Sequence, residues 1–145
     1  MPVVRRLGFV FVAMLALAAC GGSGSSHHGG PDARAQIKTA YVKFFSSRTP
    51  TDQRVALLQN GSQFKSLVTS FANNPLAKNV SATVSSVTLQ GPDKAKVVYD
   101  VKVAGASLGK QTGTAVRQNG KWKVGSASLC KLVALGGTTP SACKS

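Results

Sequence analysis

The hydrophobic period of this chain changes once, near Lys78, and that change limits the folds open to it. Before this point, apolar residues recur at three- and four-residue spacing, which predicts amphipathic helices. Beyond it, apolar and polar residues alternate, which predicts half-buried strands. Helices followed by strands are typical of the α+β class, with an antiparallel sheet covered on one face. The length of 145 residues suffices for one such domain.

Three helices are predicted ahead of the strands. Asp32 is expected to cap the first, which carries an aromatic stripe toward a core. Thr49–Asp52 resembles a capping box with proline at the first helical position, and it predicts a short second helix ending at Asn60-Gly61. Ser62 is expected to cap the third. We therefore expect three N-terminal helices packed on the sheet.

Four antiparallel strands are predicted at residues 80–89, 97–103, 112–118 and 121–126. The parity of the apolar positions shifts within the first strand, which indicates a β-bulge near Ser85-Ser86. Asn119-Gly120 is a strong hairpin signal between the last two strands. A final helical turn is expected around 129–133. A bulged, strongly twisted sheet of this kind wraps around a helix and leaves a cone-shaped cavity.

The N-terminus has the layout of a secretory signal. Arg5 and Arg6 precede an almost wholly apolar run at 7–17, which is shorter than the roughly 20 residues that span a membrane. Leu17–Cys20 resembles the bacterial lipobox, in which a diacylglyceryl group alkylates the cysteine before cleavage. We expect a signal peptide at 1–19, a Gly/Ser tether at 20–31 and one domain at 32–145.

Lipidation of Cys20 would place the protein on the extracytoplasmic face of the cell membrane, since two or three acyl chains anchor stably. Shed or secreted copies are compatible with the same sequence. Ordinary signal cleavage after Ala16-Leu17-Ala18 is the alternative, and it would leave three cysteines in an oxidising compartment. If Cys20 carries lipid, Cys130 and Cys143 remain as a natural pair. A disulfide closing a loop of about 14 residues would contribute roughly 3 kcal/mol.

The charge of the chain is strongly positive, with eighteen Lys and Arg against four Asp and no Glu. Loss of Arg5 and Arg6 with the signal lowers the formal charge from +14 to +12. Such a field attracts anionic lipid or cell-wall polymer. Nucleic acid is disfavoured by export and by the lack of interleaved aromatic residues. The expected anion-binding face consists of Lys94, Lys96, Lys102, Lys110, Arg117, Lys121 and Lys123; a solvated face that discourages strand aggregation explains the same pattern.

Catalytic and metal-binding residues are scarce. The predicted domain contains no His and no Glu, so its serines have no base to activate them. Asp100 is the one candidate base, but strand alternation turns it away from Tyr99 and beside Lys102. Cys130 and Cys143 lack a histidine partner for zinc. We therefore predict no enzymatic activity, no metal and no cofactor.

Several short motifs between residues 41 and 143 resemble the mycobacterial low-molecular-weight secreted antigen family in its C-terminal domain. They are Phe44-Phe45, Thr49-Pro50, Arg54, Leu57-Leu58, Gln59–Gly61, Tyr99-Asp100, Gly113–Val116, Asn119–Val124, Cys130 and Cys143. The resemblance implies an exported actinobacterial protein with a fold similar to the nuclear-transport-factor-2-like or cystatin-like cone. It implies no catalytic residues. The lipobox departs from the family, whose namesake looks freely secreted.

These observations favour a lipid-anchored envelope protein that binds an anionic component or a partner protein without catalysis. The rings expected to line its core or its cavity are Tyr41, Phe44, Phe45, Phe64, Phe71, Tyr99 and Trp122. One alternative is a structural subunit of an envelope assembly. Another is a cone-fold isomerase or dehydratase, which would need Asp100 inside the cavity beside Tyr41 or Tyr99.

Overall fold

The computed structural model describes residues 31–144, so the predicted signal peptide, Cys20 and most of the tether lie outside the described residues. Within that range the class is α+β, as predicted. The helices are α1 (Pro31–Phe45), α2 (Thr51–Ala56), α3 (Lys65–Asn73) and α4 (Ser126–Leu135). The strands are β1 (Val80–Leu89), β2 (Lys94–Val103), β3 (Ala106–Gln118) and β4 (Lys121–Val124). Short 3-10 turns occupy Gly61–Phe64, Pro75–Asn79 and Ser141–Cys143.

The four strands form one antiparallel, curled sheet in the order β1-β2-β3-β4. The register between β1 and β2 shifts between Val84 and Ser86, which confirms the predicted bulge. A second shift, between Asp100 and Lys102, lies in the pairing of β2 with β3. Because bulges increase local twist, the two shifts help to curl the sheet.

Two tight hairpins connect the last three strands. Asn119 and Gly120 both have positive φ, at 53° and 75°, as the predicted hairpin requires. Ala104 and Gly105 make the same kind of turn between β2 and β3, with φ of 49° and 85°. This second hairpin starts β3 at Ala106, six residues earlier than predicted. The sequence from 106 to 111 lacks apolar alternation, because that part of the strand is largely exposed.

The helix starts differ from the predicted caps. Asp32 lies in the first turn of α1, where its Oδ2 accepts a hydrogen bond from Gln36 Nε2 at 2.8 Å. Pro50 precedes α2 instead of occupying its first turn, and no side chain caps this helix. Ser62 lies in a 3-10 turn, so α3 begins at Lys65. Gly61 touches the Val55 backbone too closely for a Cβ atom, which holds this turn against α2.

The core lies between α1 and the inner face of the sheet, the face that carries Ala95, Val97, Tyr99 and Val101 of β2. Helix α1 packs against β1 and β4, while α2 and α3 pack against each other. The far edge of β4 is covered by residues 57–59, through hydrogen bonds of 2.8 Å in both directions with Val124. In the part of the chain described here, no helix combines the length and apolarity needed to cross a membrane.

Candidate functional site

An apolar cavity of about 570 Å³ lies between the helices and one end of the sheet. Its wall is formed by residues of all four helices, of the turn at 75–79 and of each of the strands β1, β2 and β3. The lining residues are Phe44, Phe45, Arg54, Val68, Phe71, Asn74, Leu76, Ala77, Val80, Val101, Val103, Leu108, Leu129, Leu132, Val133, Leu135 and Gly136. This volume is in the range of small-molecule sites, about 300–1,000 Å³.

The cavity opens to solvent through an apolar rim, defined as Phe71, Leu76, Leu108 and Leu135. Their exposed fractions are 38%, 65%, 48% and 61%, and only Val42 completes the set of large hydrophobic side chains exposed within residues 31–144. Scattered exposed hydrophobic side chains are normal, whereas a contiguous group marks an interaction site. Four of these five exposed hydrophobic side chains line the same cavity.

Arg54 of α2 is the single charged residue in the cavity wall. Its side chain is only 9% exposed, and Nη2 donates a 2.6 Å hydrogen bond to the Ser46 carbonyl oxygen. The buried Nε has no hydrogen-bond partner among the residues described. Burial lowers the pKa of Arg54 from its ordinary value, because desolvation disfavours the charged form.

The closed part of the core lies beside this cavity and contains most of the predicted lining rings. Tyr41 and Tyr99 are buried with ring centroids 4.9 Å apart, and Phe45 stacks on Tyr99 at 5.5 Å. Phe45 also reaches the cavity, as do Phe44 and Phe71. The cavity wall does not include the rings of Tyr41, Phe64, Tyr99 and Trp122. Of the rings expected in the core or the cavity, these four therefore lie in the core and not in the cavity wall.

A hydrogen-bonded cluster anchors the closed core where α4 meets β3. The Tyr41 hydroxyl donates to the Thr114 carbonyl at 2.6 Å and lies 3.2 Å from Ser128 Oγ, which accepts from Thr114 N at 2.8 Å. Burial raises the pKa of Tyr41 well above its ordinary range and that of Tyr99 to about 12. A Cβ on Gly113 would lie 2.7 Å from the Tyr41 hydroxyl, so a larger residue there would displace this cluster.

A comparison with protein-family models identifies the family to which this domain belongs. The family model for the low molecular weight antigen MTB12, C-terminal domain, matches residues 30–140. The chain belongs to this family. The prediction from the sequence motifs is confirmed, and the match covers every strand and all four helices of the antigen domain. A search among curated proteins gave no match.

The predicted basic residues of the antigen domain divide between the two faces of its sheet. In the ladder, Lys110 lies opposite Asp100 and Lys123 opposite Val116, both on the outer face. The outer face carries Lys94, Lys96, Lys102, Lys110, Lys121 and Lys123. Arg117 instead pairs with Trp122, whose ring is buried on the inner side, and its Nε donates to the Gly120 carbonyl. Its strand parity therefore separates Arg117 from the six lysines.

Asp100 also lies on the outer face, with parity opposite to that of Tyr99. Its Oδ1 accepts a 2.6 Å hydrogen bond from Ser107 Oγ. Because it faces away from the side of the sheet on which Tyr99 and Tyr41 are buried, the structure does not bring it together with either tyrosine. The juxtaposition that the isomerase alternative needed is not present in the antigen domain.

Cys130 and Cys143 form a disulfide, with Cα atoms 5.5 Å apart. The bond ties α4, a full helix where only one turn was predicted, to the 3-10 turn at its C-terminal side. Helix α4 also supplies Leu129, Leu132 and Val133 to the cavity wall. No group of three His, Cys or Asp side chains suited to a metal occurs between residues 31 and 144.

Arg54 is the residue that sequence reasoning about sites overlooked. Its residue type gave no indication of burial, because charged residues usually face solvent. No helical spacing marked it either, since α2 ends at Ala56 and the fully buried Leu58 lies beyond that end.

Proposed function

We propose that this antigen-family domain is a non-catalytic binding module of the cell envelope, whose cavity takes up an apolar or amphiphilic molecule. The observation that carries the proposal is the cavity itself, about 570 Å³ with a wall almost entirely of apolar side chains. Burying an acyl chain there would remove apolar surface from water on both partners, at about 25 cal/mol per Å². The apolar rim supplies the entrance.

Export and anchoring belong to the same proposal. Membership of an antigen family supports export, and the lipobox-like Leu17–Cys20 supports acylation on the outer side of the membrane. The Gly/Ser-rich residues between Cys20 and Pro31 would reach at most roughly 40 Å when extended. An anchored domain would therefore keep its cavity close to the lipid surface from which amphiphiles come.

A cone similar to the nuclear-transport-factor-2-like folds is part of this proposal. The curled four-stranded sheet and the helices that line one cavity with it support such a cone. The non-catalytic role rests on the absence of His and Glu from the sequence of residues 31–145 and on the outward position of Asp100.

The outer face offers a second candidate function, the binding of anionic lipid or wall polymer. Six lysines share that face, and only Asp100 lies among them as a carboxylate. Vesicles containing phosphatidylglycerol should bind the full-length protein more tightly than phosphatidylcholine vesicles, and high salt should weaken the binding. Binding that does not change with salt would contradict the electrostatic candidate. A structural subunit of an envelope assembly is the remaining alternative, and a stoichiometric partner in pull-downs from the native membrane would favour it.

The cavity proposal is tested by titrating the full-length protein with dodecanol against an environment-sensitive dye. We expect saturable, one-to-one displacement, because the wall is apolar and already formed. A dye signal that dodecanol does not displace would contradict the proposal. Dodecanol carries no charge, so the result is independent of the lysine face.

Anchoring is tested by intact mass spectrometry of the protein from its native membrane. We expect loss of residues 1–19, acyl groups on Cys20 and oxidation of Cys130 and Cys143. An unmodified chain that retains its leader would overturn the anchoring proposal.

A further inference from the structure

Arg54 is a buried cation without a counter-ion in the described chain. The exposed contact of Lys65 with Asp52, at 3.7 Å, is an ion pair away from the cavity wall. Asp32 and Asp100 accept hydrogen bonds from Gln36 and Ser107. Among the residues described, no carboxylate is found paired with the Arg54 guanidinium in the cavity wall.

Burying a charge without compensation is costly, and proteins usually pair such groups or leave them in water. The one acceptor found for Arg54 is the Ser46 carbonyl, which uses one of the five N–H donors of a guanidinium. The neighbouring Nε–H of the same guanidinium has no hydrogen-bond partner among the described residues. The Arg54 side chain thus holds both spare positive charge and spare donors on a wall that is otherwise apolar except for Asn74.

Guanidinium groups recognise carboxylates and phosphates through parallel N–H donors, and this pairing is strongest where water is excluded. We propose that the cavity selects an amphiphile with an anionic head group, which Arg54 binds while the apolar wall takes the chain. This inference rests on the proposed binding function and adds the charge of the ligand. The site would discriminate against neutral and cationic amphiphiles of the same chain length.

The positive charge of the whole protein would also favour anions, so the test must separate Arg54 from this general field. Arg48 provides the matched control: it is exposed, outside the cavity lining and only six residues away. Arg54→Met and Arg48→Met remove the same charge from the full-length protein and keep a flexible apolar side chain of comparable length. Their difference reports the cavity contribution alone.

The experiment measures affinities of dodecanoate, dodecanol and dodecylammonium for the full-length protein and both variants, by displacement of the same dye. In the unaltered protein we expect dodecanoate to bind at least about ten-fold more tightly than dodecanol, and dodecylammonium most weakly. Arg54→Met should remove most of this preference while dodecanol still binds, which also shows that the variant has folded. Arg48→Met should keep the preference.

Equal affinities of dodecanoate and dodecanol for the unaltered protein would overturn the inference and leave the cavity function intact. The same preference in Arg54→Met as in Arg48→Met would also overturn it, by assigning the effect to the general field. If none of the three amphiphiles binds, the proposed function itself fails. If Arg54→Met does not fold, Arg54→Lys keeps the charge but loses the paired donors. An unchanged preference for dodecanoate over dodecanol in Arg54→Lys would refute recognition by the guanidinium.

Discussion

Two apolar regions share the inner face of one sheet, and they differ in how they are filled. In the closed core, α1 crosses the sheet and its rings interlock with Tyr99. In the cavity, β1 and β2 contribute the valines Val80, Val101 and Val103. Their side chains are shorter than that of Tyr99, which precedes Val101 on the same face of β2. Side chains on two neighbouring parts of a strand thus decide between a solid core and a binding space. Hydrophobic composition alone does not separate the two, because both are apolar.

The closed core also has polar anchors that the cavity lacks. The contacts of Tyr41 with Thr114 and Ser128 connect α1, β3 and α4 at one point. In the cavity wall, the corresponding polar group is Arg54, whose Nε remains unpartnered. Buried polar groups whose hydrogen bonds are all made help to fix one packing arrangement. A buried polar group that lacks a hydrogen-bond partner is energetically costly, and its donor is available to a ligand.

The largest contrast should come from removing one ring in each region. Tyr99→Ala leaves a hole in a packed core, and we expect it to lower the free energy of unfolding by about 3–5 kcal/mol. Phe71→Ala removes a partly exposed ring at the cavity rim, and we expect a loss below about 1 kcal/mol. Urea unfolding followed by circular dichroism measures both. Similar losses would contradict the distinction between a filled region and an open one.

Breaking the disulfide should have the next largest effect. Replacing Cys130 and Cys143 together by Ser removes a cross-link over 13 residues of sequence, and we expect about 2–4 kcal/mol less stability. Because α4 contributes to both regions, dodecanol affinity should fall as well. Unfolding with and without reductant provides the check, since reductant should no longer destabilise the double variant. A variant as stable as the parent would show that α4 is held by packing alone.

Filling the cavity should change binding more than stability. Leu132→Trp adds a ring at a half-buried position of the wall, and we expect dodecanol affinity to drop at least about ten-fold while stability changes by less than about 1 kcal/mol. Ala134→Trp, on an exposed position of the same helix, is the control and should bind normally. A larger loss of stability for Leu132→Trp would mean that this wall is already closely packed.

The smallest effect at neutral pH should come from the tyrosines. Both tyrosines of the chain are in the closed core, and burial raises the pKa of Tyr99 to about 12. Unfolded tyrosine ionises near pH 10. Stability should therefore not depend on the tyrosines below about pH 10 and should fall between pH 10 and 12, where only the unfolded state loses its protons. Tyrosinate absorbance should appear only with loss of circular dichroism; absorbance from a folded protein near pH 10 would mean that the core is open.

Local signals predicted most of the fold. The alternation in β1, β2 and β4 and the Asn119-Gly120 turn act over a few residues, so they could be read from the sequence. The Ala104-Gly105 hairpin was missed because the start of β3 is solvent-exposed and lacks alternation. The predicted caps at Asp32, Pro50 and Ser62 were wrong, because Asp32 lies inside the first turn of α1, α2 has no side-chain cap and Ser62 lies in a 3-10 turn before α3.

The sequence by itself determined the α+β class, the β1 bulge and the family, because periodicity and turn chemistry are properties of the chain. It predicted the pairing of Cys130 with Cys143 only on the condition that Cys20 carries lipid, and the structure shows that pairing. Only the tertiary structure decided which aromatic rings fill the core and which reach the cavity. It also decided that Arg54 is buried and Arg117 leaves the lysine face. The burial of these side chains depends on their contacts with α1, α4 and the curled sheet. The residues that make such contacts are distant in sequence, so their packing cannot be read from local sequence patterns.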